Sequence, residues 1–163
     1  MKKEISLRQR ALNTLARQEI SRAELARKLQ PYADNTEVLT VLLDELAEKH
    51  WQSDSRYAES YVHSKKNQHG SRRIRQALKQ KGLDDALIQT YLPSQPEQIQ
   101  AAIQVLRKKY HLAPTNLLEK HKCLNFLAYR GFDLEVSQTA LAAAWPNQDS
   151  ATEFSESDWL PED

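Results

Sequence analysis

The side chains best able to make chemical contacts in this 163-residue sequence are concentrated in one basic stretch. Between Ser60 and Leu83, Lys65, Lys66, Arg72, Arg73, Arg75, Lys79 and Lys81 follow one another with no aspartate or glutamate among them. Ammonium and guanidinium groups at that density offer charge-assisted hydrogen bonds to phosphates or carboxylates, which is recognition chemistry and not bond-breaking chemistry. A charge run is more often only a solvated helix face, where ion pairs contribute little. Here the like charges repel at helical spacing, a small cost that a solvated face would dilute with glutamates, so the run reads as a contact surface. Lys65, Lys66, Arg72, Arg73, Arg75 and Lys79 are its candidate partner-binding residues.

Other chemistries find no support in the spacing. The histidines at 50, 63, 69, 111 and 121 form neither an i, i+4 pair around a glutamate nor a set with several cysteines, so no metal site is expected. The sequence has no glycine-rich phosphate loop, no Gly-x-Ser-x-Gly elbow and no pair of carboxylates focused by helical spacing. The single cysteine, Cys123, lies on the same apolar stripe as Leu127 and reads as a small buried hydrophobe. No catalytic residue, cofactor or enzyme activity is expected.

The basic stretch must be carried by helices. Gly70-Ser71 supplies a loop and an N-cap, after which Ile74, Ala77 and Leu78 fall at i, i+3 and i+4 and turn the arginines outward. Gly82 sits where a helix ends in the left-handed conformation, with Leu83 placed to fold back on Leu78, and Asp84 can cap the next helix. The phrase returns 49 positions later, as Leu127-x-x-Arg130-Gly131-Phe132-Asp133. Carried along the chain, the offset pairs Leu25, Ile74 and Cys123, then Leu29, Leu78 and Leu127, then Val38, Leu87 and Val136, then Leu43, Leu92 and Leu141. Three copies of one helical unit follow from it.

Taken in order, Leu7 to Arg17 is amphipathic, Ser21-x-x-Glu24 has capping-box spacing before a short helix stopped by Pro31, and Val38, Leu39, Leu42, Leu43 and Leu46 give a third helix running to about Lys49. Ser53 or Asp54 caps the next helix, in which Tyr57, Ala58, Tyr61 and Val62 share a face assigned to the core. Pro96 suits a helix start, Asn116-x-x-Glu119 opens another helix, and Leu134 to Trp145 forms the last. No alternating run is long enough for a strand. The expected fold is all-α, with nine helices in three tandem three-helix repeats, 1–52, 53–93 and 94–146, forming an elongated, curved body. Residues 147–163 carry Asp149, Glu153, Glu156, Asp158, Glu162 and Asp163 with no lysine or arginine, which predicts a disordered acidic tail.

Global charge says little, since 23 Lys and Arg oppose 22 Asp and Glu. No apolar run approaches the roughly 20 residues of a membrane span, and the start MKKEISLRQR lacks the apolar core of a secretory signal, so a cytoplasmic location is expected. Two binding functions fit the basic helix. One is an independent helix-turn-helix-like DNA-binding protein, with Arg72, Arg73 and Gln76 reading a major groove. The other is a helical-repeat protein lying along a polymer.

Several phrases also resemble, in order, the RecX regulatory-protein family. They are Ala11-Leu12-x-x-Leu15-Ala16-Arg17, Ser21-x-x-Glu24-Leu25-x-x-Lys28-Leu29, Asp54-Ser-Arg56-Tyr57-Ala58-x-x-Tyr61-Val62, Gly70-Ser-Arg-Arg73-Ile74-x-x-x-Leu78-x-x-Lys81-Gly82-Leu83, and Tyr129-Arg130-Gly131-Phe132. The resemblance spans about residues 7 to 145 and departs from the family pattern at Ala77, where an acidic residue is frequent, and in the acidic end. It implies a cytoplasmic bacterial protein of tandem three-helix repeats that binds the RecA recombinase filament, and a monomer is expected. Its implied effect is to block filament extension or promote disassembly, restraining the ATPase, recombinase and coprotease activities and so modulating recombinational repair and the SOS response. Single- or double-stranded DNA is a further partner to be expected, a membrane is not, and no catalysis is implied.

Overall fold

In the computed structural model, which describes residues 4–146, short polar residues start the helices and left-handed residues stop several of them. Leu7–Leu15 (α1) is capped by Ser6, Arg22–Leu29 (α2) by Ser21, and Thr36–Glu48 (α3) by Asn35, each side-chain oxygen accepting a backbone N–H of the first turn. Asp54–Lys65 (α4), Ser71–Gln80 (α5), Asp85–Tyr91 (α6), Gln95–Lys109 (α7), Leu117–Tyr129 (α8) and Leu134–Ala143 (α9) complete the series. Pro31 does not simply stop α2; it sits in a turn of 3-10 helix, Gln30–Tyr32. Among the described residues there is no strand, and the nine-helix all-α expectation holds. The acidic segment 147–163 lies outside the described residues.

Packing divides the described residues into two compact units. One takes the described residues up to Tyr61 together with Ala77–Tyr91, the other Val62–Gln76 together with the described residues from Leu92 onward. In the first unit α1, α2 and α3 bury Ala11, Ile20, Leu25, Leu29, Leu39, Leu42, Leu43 and Leu46 together. In the second, α7, α8 and α9 surround a core built on Leu106, Cys123, Leu127, Phe132, Val136 and Ala140. Tyr57 and Tyr61, assigned to the core from sequence, are only half-buried, their ring centroids 6.2 Å apart.

The columns of the repeat hold on the second helix of each triplet and slip on the third. Leu25, Ile74, Cys123, Leu29, Leu78 and Leu127 are all buried. Val38, by contrast, is 45% exposed, whereas Val136 is fully buried. Capped at Asn35, α3 turns Leu39, Leu42, Leu43 and Leu46 inward at i, i+3, i+4 and i+7, which leaves Val38 outside that stripe. Ile88, not Leu87, is the fully buried equivalent in α6.

Gly82 (φ 82°) and Gly131 (φ 92°) both adopt the left-handed conformation expected of them. In each turn the following N–H reaches back to the helix, Leu83 to the Leu78 carbonyl at 3.2 Å and Phe132 to that of Leu127 at 3.1 Å. A third turn of this kind ends α3 without a glycine: His50 takes φ 57° and the Trp51 N–H donates to the Leu46 carbonyl at 3.0 Å.

Candidate functional site

The two glycine turns do more than end their helices, since each abuts the start of another helix within its own unit. At the first junction the Lys81 carbonyl accepts a 2.7 Å hydrogen bond from the Ser21 hydroxyl, and a Cβ on Gly82 would stand 2.5 Å from the Cβ of Ala23. At the second the backbones meet directly. The N–H of Gly70 donates to the Arg130 carbonyl at 2.9 Å, that of Arg72 to the Gly131 carbonyl at 3.1 Å, and that of Ser71 to Oε1 of buried Gln98 at 3.2 Å. Two of the donors left over at the start of α5 are thus satisfied by carbonyls left over at the end of α8 and a third by the Gln98 side chain of α7, and the two helix dipoles meet with opposite ends together. The approach admits no side chain at Gly70, where a Cβ would lie 2.3 Å from the Gly131 carbonyl group. Consequently Gly70, not Ser71, caps α5, its carbonyl accepting from the Ile74 N–H.

This junction gathers part of the predicted basic surface. Arg72 and Arg73 are exposed at the first turn of α5. Arg72 Nη2 donates to the Ala128 carbonyl at 2.9 Å, and the Arg73 guanidinium lies 5.5 Å from the ring centre of Tyr129, which is 77% exposed. Arg130 donates to the Gln68 carbonyl at 3.4 Å and lies 5.3 Å from the Phe126 ring, against which Lys109 packs at 5.1 Å. An open cleft of about 210 Å³ is lined by Arg72, Arg73, Gln76, Ala128, Tyr129 and Gly131. Burial and, after it, the charges of Arg73, Arg130 and Lys65 hold the His69 imidazole below its ordinary pKa, so these groups share one positive field. Among the described residues neither Arg73 nor Arg130 has a carboxylate partner.

The remaining cations correct the sequence picture. Absence of acids along the chain is not absence in space: Lys66 pairs with Glu97 at 3.4 Å, Lys79 with Asp85 at 3.2 Å, and Lys81 with Glu24 at 2.6 Å. Lys65 and Arg75 are half-buried. Of the six predicted contact residues, Arg72 and Arg73 are therefore the two that are exposed at the cleft, and half-buried Lys65 adds to the charge acting on His69. Tyr129 and Arg130, which stand at the same junction, were not among the predicted contact residues, although the 49-position offset equates Arg130 with Lys81 and could have placed them beside the same glycine turn.

The arrangement suits recognition of an acidic or phosphate-bearing surface that also offers a flat or apolar group to Tyr129. It holds no activated nucleophile. The Cys123 thiol is buried in the core of the second unit and pushed up to about 12, chiefly by that burial. Among the described residues no group of three or more His, Cys, Asp or Glu could hold a metal ion, and no helix is long and apolar enough to cross a membrane.

Comparison with known proteins places these features in a family setting. The profile of the RecX second three-helix domain matches residues 53–92, and that of the RecX third three-helix domain matches residues 96–141. The regulatory protein RecX of Neisseria gonorrhoeae is 52% identical over 145 residues, covering 89% of this chain and 95% of that protein. Its counterpart in Chromobacterium violaceum is 41% identical over 137 residues, covering 84% and 90%. Among solved structures, RecX from Lactobacillus salivarius superposes with a TM-score of 0.78 at 23% identity, covering 85% of this chain and 94% of that one, a likeness of fold.

Proposed function

Because the chain belongs to the RecX family of regulatory proteins, we propose that it binds the RecA nucleoprotein filament and limits its extension, and with it the ATPase, recombinase and coprotease activities. The observation that carries this reading is the junction of α5 with the end of α8, where Arg72 and Arg73 line a cleft with exposed Tyr129, Arg130 adjoins it, and none of the three arginines has a carboxylate partner among the described residues. A surface of that composition suits an acidic protein groove that also contains nucleic acid. The protein acts as a regulator and not as an enzyme, in the cytoplasm where its partner works, with the repeats 1–52, 53–93 and 94–146 as its binding modules. Lys65, Arg72 and Arg73 make the main charge contacts, and Lys66, Arg75 and Lys79 contribute only by exchanging their present partners.

Such a ligand can act on assembly only through a difference in affinity between filament states. Contact with DNA is secondary. At the start of α5 the N–H groups of Gly70, Ser71 and Arg72 are already taken by Arg130, Gln98 and Gly131, so little of the helix start is left as the anion-binding end that a groove-reading helix presents to phosphates.

DNA-dependent ATP hydrolysis by RecA, measured beside a duplex titration, tests the proposal. The wild type should suppress hydrolysis at concentrations where naked DNA remains largely unbound. An Arg73→Glu, Arg130→Glu variant shown to be folded by its melting curve should suppress it at least about tenfold less well, the loss of about 1.4 kcal/mol in binding. Tight, sequence-selective duplex binding without effect on hydrolysis would replace this reading with the DNA-binding one.

A further inference from the structure

The cleft between Arg72, Arg73 and Tyr129 has the composition of a peptide-docking site, and the chain itself contains a segment of complementary chemistry. Residues 147–163 combine Asp149, Glu153, Glu156, Asp158, Glu162 and Asp163 with Phe154, Trp159 and Leu160, and include no lysine or arginine. We propose that this segment occupies the cleft in its own chain, its carboxylates against Arg72, Arg73 and Arg130 and its Trp159-Leu160 pair against Tyr129. Three observations meet here. The arginines lack carboxylate partners among the described residues. Tyr129, which lines the cleft, is 77% exposed, and Leu134, three positions beyond Gly131, is 64% exposed, so apolar as well as charged side chains are open to a partner near the turn. The segment is joined through residues 144–146 to the end of α9, which packs in the same unit as the cleft.

Reach does not limit the contact. An extended segment of this length spans about 50 Å, and a unit of this size has a radius of gyration of only about 11 Å. Tethering gives a short segment an effective concentration in the millimolar range, so even weak pairing keeps the cleft occupied and favours the chain's own segment over that of a second copy. The consequence is regulatory: the segment competes with any external acidic partner for one surface. Only this consequence rests on the function proposed above.

The test uses the 163-residue chain alone, with p-benzoylphenylalanine in place of Trp159, irradiated and mapped by mass spectrometry. Intramolecular cross-links to peptides carrying Arg72 to Gln76 or Ala128 and Tyr129 are expected at a yield independent of protein concentration. The yield should fall about threefold or more between roughly 50 and 500 mM NaCl, as the screening length drops to a few ångströms. It should fall similarly with Arg73→Glu and Arg130→Glu together; if that variant loses its helical circular dichroism, the salt series on the otherwise unaltered chain decides. Cross-links only to a second copy, cross-links mapped elsewhere, or none at all would overturn the proposal. With neither RecA nor DNA present, such a failure leaves the filament reading standing, and a failure of the hydrolysis assay leaves this result intact.

Discussion

The Gly82 and Gly131 turns solve one backbone problem and end with opposite electrostatics. Both carry a glycine at positive φ, both send the next N–H back five residues, and both press on the start of an earlier helix in their own unit. The first junction is closed in charge as well as in shape, since Lys81 and Glu24 meet at 2.6 Å. At the positions equivalent to Lys81 and Glu24 by the 49-position offset, the second junction has Arg130 and Arg73, two cations. One substitution of sign in a repeated frame thus separates a structural contact from the surface proposed above to bind a partner. The second junction is also the tighter of the two, a direct meeting of backbones where the first admits the Ser21 side chain.

That tightness sets the largest expected effect. At Gly131 a Cβ would lie 2.4 Å from Arg73 Cβ and 2.6 Å from its nitrogen, on a backbone already at φ 92°. At Gly82 the single close neighbour is Ala23 Cβ, at 2.5 Å. Left-handed strain for a β-branched residue together with overpacking amounts to about 3 kcal/mol or more for Gly131→Val. Gly82→Val should cost less, about 2 kcal/mol, having fewer atoms to displace. Thermal melts of the two variants rank them. A larger loss at Gly82 would mean that the junctions do not differ in closeness as described.

The second expected effect is on binding. Lys81→Ala removes half of a partly exposed ion pair and should lower stability by no more than about 1 kcal/mol, with suppression of RecA hydrolysis unchanged. Tyr129→Ala and Arg130→Ala should also stay within about 1 kcal/mol in stability, since Tyr129 is exposed and Arg130 gives up only a cation–π contact and a long hydrogen bond, yet each should weaken suppression severalfold. If Lys81→Ala weakens suppression as much as Arg130→Ala, the division between a structural and a binding junction fails.

Much of this fold was legible because local rules decide it. Ser21, Asn35, Asn116 and Asp133 cap the helices that follow them, and the two glycines could occupy φ near 90° where other residues would be strained. His50 escaped notice because no residue type announces a left-handed stop as glycine does, and the turn is held by the Trp51 N–H on the Leu46 carbonyl. Val38 was misplaced because two candidate stripes one residue apart are both apolar in α3, and only packing chooses between them. The site was half legible for a different reason. Charge along the chain shows which cations exist, whereas which of them remain unpaired depends on Glu24, Asp85 and Glu97 arriving from other elements. Arg130 stood in plain view as the repeat partner of Lys81, and its meaning appears only when Arg73 is seen opposite it.

The smallest effect offers the finest measure of the difference between the junctions. His69 is the titrating group placed among Lys65, Arg73 and Arg130, and burial together with those charges lowers its pKa from the ordinary 6.5. Between the lowered folded value and 6.5 the unfolded chain binds more protons than the folded one, so stability declines as pH falls through that window and levels off once the folded imidazole is protonated too. Arg130→Gln removes one of the three cations and should raise the His69 pKa part of the way back, leaving the share due to burial. Arg73→Gln should do the same, and Lys81→Gln, at the neutralised junction, should leave it unmoved. Imidazole proton shifts followed across pH 4 to 8 by NMR read this directly, the His69 signal being assigned by its loss in His69→Gln. A titration that does not move in either arginine variant would show that Arg73 and Arg130 do not share a field. The charge difference between the two junctions would then be a difference of sequence alone.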